Sequence, residues 1–192
     1  GQLSERGVKE LHSAENSAKR LIRLINDLLD IERIESGKLS VSKMPLSFRA
    51  LAEHSADSVQ ALAASKQIEV AIESNGDIEF PGDVDRLEQV LINLLGNAIK
   101  FSPNDSKVII SAVEREDDVI IKVIDSGPGI PPDYCKKIFD RFQQVERGDG
   151  KEKEGNGLGL AISRALVEAH GGTIGVDSDG SHGSTFWIKL PA

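Results

Sequence analysis

Apolar residues first return at helical spacing near the start of the chain. Leu21, Ile25 and Leu28, joined by Leu24 and Ile31, form one stripe, with Lys19, Arg20, Arg23, Asp27 and Glu32 outside it. A repeat of about 3.6 residues predicts a single long helix over residues 11–35. Gly37 follows, and glycine accepts the left-handed conformation that closes many helices. One amphipathic helix cannot bury its own stripe, so self-association or a partner helix is expected. The alternative is packing onto its own domain. The sequence opens inside this pattern, as a piece of a longer protein would.

Met44-Pro45 marks the boundary of a second region. Its pattern predicts a helix over 47–65, a strand over 68–72, and a helix over 84–100 with Asp83 as its cap. Two β-rich runs follow, 107–113 and 119–124, separated by a turn-like Arg115-Glu116-Asp117-Asp118. A short helix is predicted over 133–142. The stretch 143–156 is almost free of apolar residues, so it cannot pack and is expected to move. A helix over 158–170 and strands over 173–177 and 184–190 close the chain. There is no internal repeat. Strands and helices mix without regular βαβ alternation, which favours a two-layer α/β sandwich over a doubly wound sheet.

With 192 residues and 39% hydrophobic positions, the chain has enough apolar material for one core plus an appendage. The 31 Asp and Glu against 23 Lys and Arg give a net charge of -8, which opposes binding to a nucleic-acid backbone. The single cysteine, Cys135, rules out an internal disulfide and fits a reducing compartment. No apolar run approaches the roughly 20 residues that a membrane span needs. Any membrane association is therefore expected to come from regions outside this sequence.

Three features carry candidate chemistry. Gln89, Asn93, Asn97 and Lys100 lie at spacings of four, four and three, on one narrow face of the predicted second helix. Leu87, Leu91, Leu94, Leu95 and Ala98 take the other side. Amide oxygens suit Mg²⁺ and an ammonium suits phosphate, although a solvated polar face would look the same. Asp125-Ser126-Gly127-Pro128-Gly129-Ile130-Pro131 directly follows a strand. A carboxylate there can accept from an exocyclic amine such as that of adenine, and the glycines permit close approach of the backbone. An ordinary turn would also look like this. Gly155-Asn156-Gly157-Leu158-Gly159-Leu160 opens a helix, whose N-terminal N–H groups bind phosphate well. Its spacing is neither the Rossmann pattern nor a P-loop.

Taken in order, Asn93 and Asn97, Asp125-x-Gly127-x-Gly129, Phe139 and Phe142, and Gly155-x-Gly157-x-Gly159 resemble the N, G1, F and G2 boxes of sensor histidine kinases. The strings RLEQVLINLLGNAIKFS, DSGPGIP, IFDRFQQV, GNGLGLAISRALVEAHGG and GSTFWIKLP are similar to that family's wording. LIRLINDLLDIERIESGKL resembles the second helix of its dimerization hairpin. The resemblance spans nearly the whole chain. It implies a Bergerat-type two-layer α/β sandwich preceded by one dimerization helix. Residues 1–43 would be the partial helix and connector, and 44–192 the catalytic ATP-binding domain.

The same resemblance implies ATP and Mg²⁺ as ligands. Asn97, helped by Asn93, would ligate Mg²⁺, and Lys100 would contact phosphate. Asp125 would bond the adenine amine, Gly127 and Gly129 would shape that pocket, and Thr185 would assist near the base. Gly155, Gly157 and Gly159, with Leu158, would let the loop 143–156 act as a lid over Phe139 and Phe142, which are equally suited to the core. Many relatives carry arginine at the position of Gln144, so the lid's phosphate contact falls between that glutamine, Arg141 and Arg147. The implied partners are a second copy, through the N-terminal helix, and a response-regulator receiver domain, in the cytoplasm.

Gyrase-like and chaperone-like ATPases of this fold carry a glutamate at the position of Asn93 to activate water, whereas an amide is no general base at neutral pH. The γ-phosphate is thus left for another nucleophile. No histidine followed by an acidic residue and a proline occurs. His12 lies on the helix that resembles the wrong half of the hairpin, His54 reads as a helix-surface residue, His170 as a helix end and His182 as a turn residue. The chain alone is therefore expected to bind nucleotide without phosphorylating itself. A serine kinase of the anti-sigma-factor type shares the fold but normally lacks the long first helix. A binding module that has lost its chemistry is disfavoured by the intact Asn97, Lys100, Asp125 and glycine set.

Overall fold

A computed structural model describes residues 5–74, 76–143 and 157–192. The chain divides into two compact units, Gly1–Leu39 and Ser40–Ala192. The first contains helix α1 (Glu5–Glu35), six residues longer at its start than the apolar stripe indicates. Gly37 closes it at φ 63. The Lys38 N–H donates to the Arg33 carbonyl at 2.9 Å and the Gly37 N–H to that of Ile34 at 3.2 Å, the paired bonds of a Schellman end. Leu21, Ile25 and Leu28 of the stripe are exposed.

The second unit is built on a five-stranded sheet. Its strands are β2 (Glu69–Ser74), β4 (Lys107–Arg115), β5 (Asp118–Asp125), β6 (Thr173–Asp177) and β7 (Ser184–Pro191). They stand in the order β2-β4-β5-β7-β6, with β2 parallel to β4 and every other pair antiparallel. Alternation along the strands sets two faces. Val108, Ile110, Val119, Ile121, Val123, Ile188 and Leu190 are buried on one face, while Ile109, Ile120, Ile124 and Trp187 on the other are half-buried. Helices α2 (Phe48–Ser65), α3 (Val84–Phe101) and α4 (Gly159–Ala169) pack against the sheet. This is the two-layer α/β sandwich.

Helix α3 forms the middle of the core. Leu87, Val90, Leu91, Leu94, Leu95 and Ala98 recur at three- and four-residue steps and all are buried. The Asp83 carboxylate caps the helix by accepting from the Arg86 N–H at 3.3 Å, a contact worth about 1 kcal/mol. Each fully buried leucine contributes about 1.5–3 kcal/mol, so truncating Leu94 to alanine would cost about 2–5 kcal/mol. Ser47 caps α2 in the same way, its Oγ accepting from the Ala50 N–H at 3.2 Å.

The structure departs from the predicted elements in two places. The apolar pattern contains no sign of a second sheet, yet β1 (Met44–Ser47) and β3 (Glu79–Gly82) pair antiparallel with Pro45 opposite Pro81. Each is only four residues long, too short for a period to register. The predicted helix over 133–142 is instead two separate 3-10 turns, Pro132–Tyr134 and Lys137–Phe139. Pro132 starts the first turn, and neither runs long enough to repay the nucleation of an α-helix. The polar stretch expected to form a lid lies, from 144 to 156, outside the described residues.

Candidate functional site

The polar face of α3 meets the start of α4. Gln89, Asn93, Asn97 and Lys100 are all half-buried along this face. The Asn93 Nδ2 donates to the Oγ of Ser163, a buried residue of α4, at 2.9 Å. With its nitrogen so engaged, Asn93 offers its oxygen to the other side. That oxygen lies against the backbone of Gly159, where an added Cβ would run into it. The amide and the first turn of α4 are therefore packed together with no room for a side chain between them. Lys100 projects near the end of the helix with its Nζ 5.0 Å from the Phe101 ring centroid. Sequence reading found Asn93 but not Ser163, which is 70 residues away along the chain.

Asp125 ends β5 and is buried. Its Oδ1 accepts the Gly127 N–H at 2.7 Å, closing a tight turn. A Cβ on Gly127 would stand 2.7 Å from that oxygen and 3.2 Å from the Phe101 carbonyl. Gly129 takes φ 75, and a Cβ there would lie 2.6 Å from the Ser181 nitrogen. The β6–β7 turn braces this segment. The Gly183 N–H donates to the Gly127 carbonyl at 2.6 Å, and the Ile130 N–H donates to Ser178 Oγ at 2.9 Å. Ser178 Oγ in turn donates to the Gly183 carbonyl at 2.8 Å.

Register decides which hydroxyl accompanies Asp125. Asp125 stands opposite Ser184, and Ile124 stands opposite Thr185. Directly paired residues share a face, so Ser184, itself buried, lies on the Asp125 side and Thr185 on the other. The structure therefore brings Asp125, Gly127 and Gly129 together but separates Thr185 from them. Ser184 is the hydroxyl on the Asp125 face, one position before the Thr185 that the resemblance implied.

Gly157 takes φ 67, and a Cβ there would sit 2.8 Å from the Phe142 carbonyl carbon. Its carbonyl accepts the Phe142 N–H at 2.8 Å. The buried Leu158 is the N-cap of α4, and its side chain makes no cap hydrogen bond. Gly155, Gln144 and Arg147 lie outside the described residues. Phe139 is buried and meets Phe186 edge-on at 6.5 Å, so it belongs to the core. Phe142 is 71% exposed and does not.

Helices α3 and α4 are also joined at their far ends by His170. This residue is 1% exposed. Its Nδ1 lies 2.7 Å from the Leu166 carbonyl, and its Nε2 accepts the Asp83 N–H at 3.1 Å. Lys43 Nζ donates to the His170 carbonyl at 2.8 Å. His54 is exposed on α2 and His182 is exposed in the β6–β7 turn. In that turn Asp179 accepts from the backbone of Ser181 and His182 and from the Ser181 hydroxyl. These bonds hold its pKa down at about 2. Burial, and then the Asp177 carboxylate, push the Cys135 thiol up, which favours its protonated form.

Among the described residues no three His, Cys, Asp or Glu side chains group to hold a metal ion. The amide oxygens of α3 are the donors that suit a hard cation. Among the same residues no helix is long and apolar enough to cross a membrane.

Residues 82–192 match the family described as histidine kinase-, DNA gyrase B-, and HSP90-like ATPase. The chain is 36% identical over 194 residues to the circadian input-output histidine kinase CikA of Synechococcus elongatus, covering all of this chain and 26% of that protein. It is 35% identical over 195 residues to the sensor histidine kinase GacS of Pseudomonas protegens, covering 98% of this chain and 21% of GacS. The full-length structure of ShkA in complex with AMPPNP superposes on all of this chain with a TM-score of 0.85 at 30% identity, over 40% of the ShkA chain. The chain thus spans about a quarter of the length of the curated relatives it matches.

Proposed function

The chain belongs to the histidine kinase-, DNA gyrase B- and HSP90-like ATPase family, and from that premise we propose that it is the ATP-binding catalytic part of a sensor histidine kinase. It holds Mg·ATP between α3 and the start of α4 and presents the γ-phosphate to a histidine on another segment. The observation that carries this reading is the Asn93 amide, fixed by Ser163 and set against the Gly159 backbone. An amide at this position can orient a cation but cannot take a proton from water, so the site favours transfer over hydrolysis.

In this reading Asp125 accepts from the adenine amine, and Ser184, rather than Thr185, is the hydroxyl beside the base. Gly127 and Gly129 keep side chains out of the adenine pocket. Asn97 and Asn93 hold the cation, whose chemistry is to neutralise phosphate charge. Lys100 and the N–H groups following Leu158 bind the phosphates, with Gly155, Gly157 and Gly159 allowing the lid segment to approach. Catalysis rests on positioning and charge rather than covalent chemistry in this unit. Residues 1–43 act as part of a dimerization helix and its connector, and 44–192 as the catalytic domain. The whole protein would work as a cytoplasmic homodimer, or as the cytoplasmic portion of a membrane receptor, and pass the phosphate to an aspartate of a response regulator.

Incubation with γ-labelled ATP tests the proposal. The chain alone should retain no label, and a separately supplied helical hairpin bearing a phosphoacceptor histidine should become labelled in its presence. Stoichiometric label on the chain alone would contradict the assigned roles.

A further inference from the structure

The last turn of α3 carries Lys100 and Phe101. Carbonyls at a helix C-terminus have no partner within the helix and must find donors elsewhere. One side chain from another element supplies them. Lys66, the C-cap residue of α2, directs its Nζ to the carbonyls of Ile99 at 3.1 Å, Lys100 at 2.6 Å and Ser102 at 2.9 Å. Lys66 is itself fixed on both sides. Its N–H donates to the Ala63 carbonyl at 3.1 Å and its carbonyl accepts the Asp105 N–H at 3.1 Å. A cation placed there also meets the negative end of the α3 dipole.

The same turn touches the adenine loop. The Phe101 carbonyl lies where a Cβ on Gly127 would stand only 3.2 Å away, and the Gly127 N–H is the donor to Asp125 Oδ1. The Lys66 ammonium thus holds the turn whose Phe101 carbonyl stands close beside Gly127, next to the buried carboxylate.

We propose that Lys66 is a positioning residue of the nucleotide pocket, fixing the last turn of α3 so that Lys100 and the Asp125-Gly127 turn keep their mutual placement. The inference rests on the nucleotide reading above and adds a residue that acts through the backbone carbonyls of Ile99, Lys100 and Ser102 rather than on the nucleotide itself. A helix cap with only a structural role would stabilise the domain and leave the pocket unchanged.

Lys66→Met and Lys66→Arg, made in the whole chain, separate the two. Amide exchange at Gly127 is followed by NMR without nucleotide. AMPPNP affinity with Mg²⁺ is measured by calorimetry well below the unfolding temperature of each variant. Loss of the ammonium should speed Gly127 exchange and weaken AMPPNP binding, each by about tenfold, with Lys66→Arg, which keeps the charge at the helix end, restoring part of both. If Lys66→Met does not fold, Lys66→Gln, which keeps N–H donors without charge, is read the same way. A lower melting temperature with unchanged Gly127 exchange and unchanged affinity would overturn the proposal. Failure of the parent chain to bind AMPPNP would overturn the pocket role together with the nucleotide reading. The exchange measurement identifies that case, because Gly127 would still respond to Lys66.

Discussion

Gly159→Ala separates the site from the fold. The new methyl would collide with the Asn93 carboxamide, whose Oδ1, Cγ and Nδ2 are the nearest atoms to it, Cγ at 3.0 Å and Nδ2 at 3.2 Å. These atoms are the far end of a side chain, so Asn93 can turn away and the backbone need not move. Turning away breaks the 2.9 Å bond to Ser163, a loss of about 1 kcal/mol. Replacing glycine by alanine at a helical position with negative φ returns about 0.5–1 kcal/mol through the unfolded chain. The two nearly cancel, so the melting temperature should stay within about 4 °C of the parent. Nucleotide binding has no such offset. A displaced cation ligand removes a charge-assisted contact of about 1.5–3 kcal/mol, a loss of about 10- to 100-fold in affinity for AMPPNP with Mg²⁺. Adding Asn93→Ala to Gly159→Ala should then cost little more, because both changes remove the same interaction. Calorimetric affinity within twofold of the parent would refute this account of Asn93. A fall of more than 10 °C in melting temperature would refute the claim that the clash is absorbed by a side chain.

Other consequences follow from the same geometry. His170→Ala leaves the Asp83 N–H without its imidazole acceptor and opens a void at a 1% exposed position. It should cost about 3–4 kcal/mol in denaturant unfolding, and a loss below 1 kcal/mol would mean that the tie between α3 and α4 is dispensable. Asp179 is held down at about 2 by the Ser181 and His182 donors. A carboxylate lowered on folding contributes stability above its ordinary value near 3.8, and that contribution is lost as pH falls through about 2. Carboxyl NMR should place its midpoint at about 2, and an ordinary midpoint would show that the turn does not hold together in solution.

Much of the fold was legible because its strongest signals are local. The α3 pattern carries its period within eighteen consecutive residues, with Leu87 to Ala98 on one face, and its cap, Asp83, immediately before them. Gly37 marks the end of α1 for the same reason. What escaped is set by distant contacts. β1 and β3 form only because residues some 35 positions apart pair across Pro45 and Pro81. The resemblance implies Thr185 near the base, but a strand side chain's face follows from register, and a shift of one residue reverses it. The pairing of Ser184 with Asp125 puts Ser184, not Thr185, on the Asp125 face. Ser163 and Lys66 act through bonds to Asn93 and to the end of α3, and neither residue belongs to a motif on its own.

The most direct test of nucleotide binding is calorimetry with AMPPNP and Mg²⁺ on the parent chain and on Asp125→Asn. The asparagine oxygen can still accept the Gly127 N–H, so the turn survives, while its nitrogen replaces the second carboxylate oxygen and presents a donor to the adenine amine. One-site binding by the parent, weakened at least tenfold in the variant with the melting temperature little changed, is the expected result. Equal affinity in the two proteins, or no binding by the parent, would contradict the account.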